Sequence, residues 1–341
     1  MTTPTAAPRL AVYPHREVTA SSRPHAEIAT VGLSLPHYAA VFAQLAPVLA
    51  QYPALLLARA DFARYATVHT PAYLAALQAL AAGHTPDWQP LLGGECSGLE
   101  HCLPGYTFAL GGMCAAIDAM RAGQIGRAYC LSLGGHHAGP DWGHGYCLLN
   151  PLAAATRYAQ QIGFARVLLI DWDHHHGDGT QAIFAHDPSV YCISIHSAFD
   201  LYMAKMRHLP DGTTTAARAL GHCNIPLRDQ RFPCDIATEI GLDGEFYDGS
   251  VSIDVFATAL AQLPWIPDLI GIFSGYDAHH DDCGARVSDW TTDDFARLTQ
   301  LVLAVAQHAG CPVLSVHGGG YKLPSTIAAA TRHLAVLAGE L

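Results

Sequence analysis

The chain has 341 residues, half of them hydrophobic and 14% charged, with 29 acidic against 18 basic side chains and a formal net charge of −11. This composition excludes a disordered polar chain and supplies enough apolar material for a large core. The acidic balance disfavours nucleic acid as a partner and mildly favours a cationic one.

In chain order, the first buried-strand signal is AYCLSL at 128–133, followed by a helical pattern over 151–163. RVLLID (166–171) and VYCISI (190–195) repeat the strand signal, and the stretch 198–250, with Pro210, Gly212, Pro226, Pro233 and Gly241, reads as a long irregular connection. LIGIFS (269–274), a helix over 291–309, PVLSVH (312–317) and a helix over 324–339 complete the series. Short Val/Ile/Leu runs alternating with helices predict a mostly parallel sheet covered by helices, an α/β fold expected to form one domain over residues 1–341.

Ligand sites in such folds lie beyond the carboxyl ends of the strands. GGHHAG follows the first run, DWDHHHGDG the second, HSAFD the third, GYDAHHDD the fourth and GGGY the fifth. Ten cysteines without a CxxC pair, several inside apolar runs, read as reduced and mostly buried thiols. The sequence opens without a basic stretch leading into an apolar run, and no segment reaches 18 apolar residues, so the expectation is a cytoplasmic protein with no membrane contact.

Strand alternation in DWDHHHGDG projects Asp171, Asp173 and His175 to one side, with His174 and His176 pointing away. A borderline cation such as Zn²⁺ accepts this mixed nitrogen and oxygen set, and a catalytic site needs three protein ligands with an open position. Asp173 and His175 supply two, and Asp277, at another strand end, is the natural third. A lone Asp at a strand end is more often a helix cap and a lone His more often a hydrogen-bonded core residue; the conjunction reverses those odds. His136 and His137 suit proton transfer, and the HGGGY turn (317–321) suits Tyr321 to oxyanion stabilisation. A phosphate loop ranks behind, because GGG lacks a following GK[ST] or a GxGxxG frame.

GGHHAG, GYCLLN (145–150), DWDHHHGDGT, SGYDAHHDD and HGGGY, in that order from about residue 128 onward, resemble the deacetylase branch of the arginase-like fold: histone deacetylases, deacetylase-like amidohydrolases and acetylpolyamine amidohydrolases. The resemblance implies a three-layer α/β/α domain that hydrolyses N-acyl amines of acetyl-lysine or acetylpolyamine type. It makes Asp173, His175 and Asp277 the ligands of one Zn²⁺ and His137 the principal acid and base, assisted by His136. Asp171 and Asp178 would hydrogen-bond the outer nitrogens of His136 and His137, and Tyr321 would polarise the amide carbonyl. Gly145 and Tyr146 would wall a narrow tunnel, and Glu95 would be an acidic rim residue that grips the substrate backbone or amine. A supporting K⁺ would lie near Asp171, Asp173, Ser194 and the His175 backbone, and homo-oligomers are compatible with the resemblance. The sequence departs from the family pattern at His174, usually aliphatic, and at Cys283, usually proline. Two other readings are a catalytically silent acyl-amine-binding protein and an arginase-like ureohydrolase with two manganese ions; the His pair and Tyr321 weigh against the first, and GGHHAG with GGGY against the second.

Overall fold

Apolar runs too short for a helix and flanked by glycine or polar loops become strands because only a sheet lets both faces of such a run be buried. The computed structural model describes residues 9–24, 35–200, 221–229 and 246–340. Its strands are β1 (Leu10–Tyr13), β2 (Leu91–Leu92), β3 (Arg127–Cys130), β4 (Trp142–Gly143), β5 (Val167–Asp171), β6 (Val190–Ser197), β7 (His222–Leu227), β8 (Leu269–Ser274) and β9 (Val313–His317). Seven of them form one sheet in the order β1-β3-β9-β8-β5-β6-β7, with every pairing parallel. The five expected runs all lie in this sheet.

Two sheet strands come from segments not read as strands. β1 is four residues long, and β7 carries His222, Asn224 and Pro226. Both are edge strands among the described residues, where proline is tolerated because one row of backbone donors has no partner strand there. β7 is thus a correction to the irregular connection expected over 198–250; residues 201–220 and 230–245 of that stretch lie outside the described residues.

The helices are α1 (Leu35–Leu49), α2 (Pro71–Ala81), α3 (Leu103–Arg121), α4 (Pro151–Gln161), α5 (Asp178–Phe184), α6 (Ser252–Ala261), α7 (Thr292–Ala309) and α8 (Leu323–Ala338). Expected boundaries for α4, α7 and α8 agree within about two residues, and Thr291 with Asp294 forms a capping box at the start of α7. α3 packs on α4, while α7 packs on α6 and α8 and α8 on α1, so helices sandwich the sheet. No helix among the described residues is long and apolar enough to cross a membrane. The nine cysteines among them are all free, six of them buried.

The strand order sets the site. β9 and β8, late in sequence, insert between β3 and β5. Their carboxyl ends therefore bring residues following positions 130, 171, 274 and 317 side by side, across about 14 Å at the usual strand spacing.

Imidazoles are built into this core. His69 lies buried, accepting from the Asn150 amide at Nε2 (3.1 Å) and placing Nδ1 2.8 Å from the Gly139 carbonyl, which fixes the neutral tautomer. Burial pushes His69 down to about 4 and His333, on α8, down to about 3 from the usual 6.5. The unfolded chain then takes up protons first as pH falls, so the stability these groups contribute is present above about pH 6.5 and is lost on the way to pH 4 or below, by up to about 1.4 kcal/mol per pH unit for each. Calorimetry should show the thermal midpoint falling as pH drops from 7 to 5; a flat profile over that window would contradict it.

Candidate active site

The segment after β5 leaves the ladder at Asp171, so alternation along a strand does not by itself orient it. It is held instead by carboxylates bonding the backbone two residues on. The Asp173 amide donates to Asp171 Oδ1 (3.0 Å) and the His175 amide to Asp173 Oδ1 (3.0 Å). Asp277, after β8, accepts from the His174 amide at 2.8 Å, and the Gly319 amide, after β9, donates to Asp173 Oδ2 at 2.8 Å. Three strand ends are thereby tied to one another through two carboxylates.

This brings the expected metal ligands together. His175 Nδ1 stands 3.1 Å from Asp173 Oδ1 and 3.0 Å from Asp277 Oδ2. His174 and His176 are buried, and His176 turns away to Gln181 Oε1 at 2.7 Å. Two observations fit a divalent cation. One Nδ1 proton cannot serve two carboxylates at once, and Asp277 Oδ2 is buried without a hydrogen bond; a cation in place of that proton satisfies all three groups. The surroundings are cut to this size, since a Cβ on Gly319 would lie 2.5 Å from Asp173 Oδ2 and 3.0 Å from Asp277 Oδ2.

The electrostatics differ sharply among the carboxyls. Burial, and then the Asp173 charge, pushes Asp277 up to about 7. Asp173 is held below the usual carboxylate range: its burial acts the other way, but His136 and His175 outweigh it. Burial and Asp173 raise Asp171, whereas Asp178 stays low despite its burial because His137 and His144 donate to it.

Both imidazoles of the pair meet the carboxylates expected for them. His136 Nδ1 lies 2.8 Å from Asp171 Oδ2, and His137 Nδ1 lies 2.8 Å from Asp178 Oδ1. Burial depresses His136 to about 4 and, with the neighbouring His136, depresses His137 to about 3, so both are neutral near pH 7. With Nδ1–H committed to a carboxylate, each ring keeps its Nε2 lone pair for another partner.

Tyr321, Gly145, Tyr146, His136, His137, Asp173 and His175 line one cavity of about 110 Å³. The Tyr321 ring is 6.0 Å from that of His175, and burial together with the Asp277 and Asp173 charges keeps its phenol protonated. Gly145 (φ 55°) and Tyr146 (φ 62°) both adopt left-handed backbone, and a Cβ on Gly145 would lie 2.3 Å from His137 Cδ2. Glu95, expected at the rim, has one carboxylate oxygen engaged by the Gly145 amide at 2.6 Å, so it grips the cavity wall. Asp171 and Ser194, expected near a monovalent ion, are register partners on β5 and β6.

A family model described as the histone deacetylase domain matches residues 39–337. The chain belongs to the histone deacetylase family. It is 35% identical over 216 residues to an uncharacterized protein of Picosynechococcus sp., covering 62% of this chain and 61% of that protein. It is 34% identical over 217 residues to a histone deacetylase-like amidohydrolase of Pseudomonas aeruginosa, covering 61% of this chain and 51% of the relative. The matched stretches thus span about half to three-fifths of these curated relatives. Acetylpolyamine aminohydrolase from Burkholderia pseudomallei superposes with a TM-score of 0.73 at 23% identity, covering 96% of this chain and 98% of that one, which shows the shared fold.

Two residues of this histone deacetylase-family site escaped the reading of the sequence. His144 places Nε2 2.9 Å and 3.1 Å from the two oxygens of Asp178, with its ring 4.5 Å from that of His137. Asp282 accepts from the amides of Tyr321 (2.6 Å) and Lys322 (2.8 Å) and so fixes the turn that carries the tyrosine. The signals were present, a histidine one residue before GYC and a second acid in HHDD, but neither position announces a partner so far away in sequence.

A methyl at residue 319 would displace the carboxylates of 173 and 277. Gly319→Ala should lower divalent-ion affinity by about tenfold or more in calorimetric titration, with an unchanged far-ultraviolet circular dichroism spectrum. Unaltered affinity would show that residue 319 does not shape the space between the two carboxylates.

Proposed function

We propose that this chain is a Zn²⁺-dependent hydrolase that removes an acyl group from an amine, with acetyl-lysine side chains or acetylated polyamines as its substrate class. The observation that carries this reading is the convergence on one cavity of Asp173 and His175, beside Asp277, with the His137–Asp178 pair and Tyr321. The names of two similar proteins, an amidohydrolase and an acetylpolyamine aminohydrolase, support the same chemical class. A cavity of about 110 Å³ suits a slender linear chain, and a net charge of −11 suits a cationic amine. The nine cysteines among the described residues, all free, support a reducing, cytoplasmic setting.

Asp173, His175 and Asp277 would hold one ion per chain, and such an ion, when bound, supplies Lewis acidity to the acyl carbonyl and to water. His137 accepts the proton of the attacking water at Nε2, because its Nδ1–H is held by Asp178, and later delivers that proton to the departing amine nitrogen. Asp178, anionic at neutral pH, stabilises the imidazolium between the two transfers. His136, on Asp171, assists electrostatically. Tyr321 donates its hydroxyl hydrogen to the oxyanion that develops as the amide carbon becomes tetrahedral. Water adds to the carbonyl carbon, the C–N bond breaks, and a carboxylic acid and a free amine leave. Gly145 and Tyr146 wall the acyl-amine channel, with Glu95 bracing them. Asp171, Asp173, Ser194 and the His175 backbone are the proposed surroundings of a supporting K⁺, and residues 1–341 act as one catalytic domain.

Acetate release from an acetyl-lysine reporter and an acetylated polyamine, measured side by side, tests the reading. Chelation should abolish turnover and added zinc restore it. Tyr321→Phe should lower kcat by about 10²–10³. His144→Ala, which removes one of the two donors to Asp178, should lower it by about tenfold with little change in KM. Turnover unaffected by chelation, or full activity in Tyr321→Phe, would refute the mechanism; absence of turnover on every acyl amine would favour the silent binding protein.

A further inference from the structure

We propose that Tyr38 ends the acyl pocket, so that the site takes an acetyl group and rejects butanoyl and longer acyl groups. This rests on the hydrolase reading of the site and deepens it, by naming the class of acyl group that can be removed.

Tyr38 lies near the start of α1 and borders two spaces. One is the catalytic cavity of about 110 Å³. The other, of about 20 Å³, lies between α1 and the end of β9, where Val41 and His317, both buried, close it off. Gly145, Tyr146 and Tyr321 also border both spaces, but they come from the loops after β4 and β9, whereas Tyr38 enters from a separate helix. Its hydroxyl reaches the loop that leads to the histidine pair, since a Cβ on Gly134 would lie 3.1 Å from Tyr38 Oη.

An amide held in this cavity has two ends. Its amine extends toward solvent, because the rest of the substrate is attached there, so the acyl tail points inward and meets Tyr38. The tyrosine is held from both sides. His37 places Nε2 2.7 Å from the Gly320 carbonyl oxygen, which pins the start of α1 to the turn carrying Tyr321. The Tyr38 ring packs on that of Phe42 with centroids 5.8 Å apart, and Phe42 meets His317 edge-on at 5.4 Å. A space of about 20 Å³ has room for roughly one water molecule, so no alkyl chain fits behind the ring. A longer acyl group must push the ring into this packing. Each methylene that a closed apolar pocket refuses is worth about 10- to 200-fold in discrimination.

One amine reporter carrying acetyl, propanoyl, butanoyl or hexanoyl groups provides the test. Wild-type protein should lose about tenfold or more in kcat/KM from acetyl to butanoyl. Tyr38→Phe, which keeps the ring, should keep that order. Tyr38→Ala should join the two spaces, visibly in its crystal structure, and raise kcat/KM for butanoyl relative to acetyl by about tenfold or more. Tyr38→Leu, which still packs on Phe42, should shift the preference the same way and serves where the alanine variant does not fold. Wild type that hydrolyses butanoyl as fast as acetyl, or an acyl order unchanged in the folded alanine or leucine variant, would overturn the role of Tyr38 and leave the hydrolase reading standing. Absence of turnover across the whole series would overturn both.

Discussion

Burying negative charge is the constraint on which this molecule is organised. Asp171, Asp173, Asp178 and Asp277 lie at the carboxyl ends of neighbouring strands, none more than 8% exposed. Buried carboxylates without partners are costly, and each of these is engaged by backbone amides, imidazoles or both. The compensation is incomplete at one place, between Asp173, His175 and Asp277, where two carboxylates face a single imidazole nitrogen. This is the place where the proposed ion would sit.

The same constraint separates two kinds of His–Asp pair. Asp178 collects two imidazoles, His137 and His144, and stays anionic, whereas Asp171 has one imidazole, lies near Asp173 and is raised. In the proposed reaction the pair with the anionic partner would be the better proton carrier, which gives a physical reason for distinguishing His137 from its neighbour. Rigidity comes from the backbone: Gly145 held by Glu95 on one wall, and Tyr321 held by Asp282 on the other.

Much of this was legible in the sequence because it is written in residue types that have few alternative uses. Val/Ile/Leu runs such as VLLID and LIGIFS have no other way to be buried on both faces, so the sheet centre and its order of loops were readable. The edge strands were not, since β7 holds His222 and Pro226 and owes its existence to pairing with β6. Spacing singles out His175 among three histidines, and the structure sets it 3.1 Å from Asp173 and 3.0 Å from Asp277, although the segment is held by carboxylate-to-amide bonds and not by a strand. His144, Asp282 and the contact of Glu95 with Gly145 depend on close approaches between segments about 34 to 50 residues apart in sequence, which periodicity does not encode.

Other groups of donors among the described residues could take an ion instead: His137, His144 and Asp178, or His279, His280 and Asp281. Anomalous diffraction at the zinc absorption edge, from crystals grown with stoichiometric zinc, distinguishes them directly. A single peak bounded by Asp173, His175 and Asp277 is expected. A peak at either competing group with none beside Asp277 would contradict it.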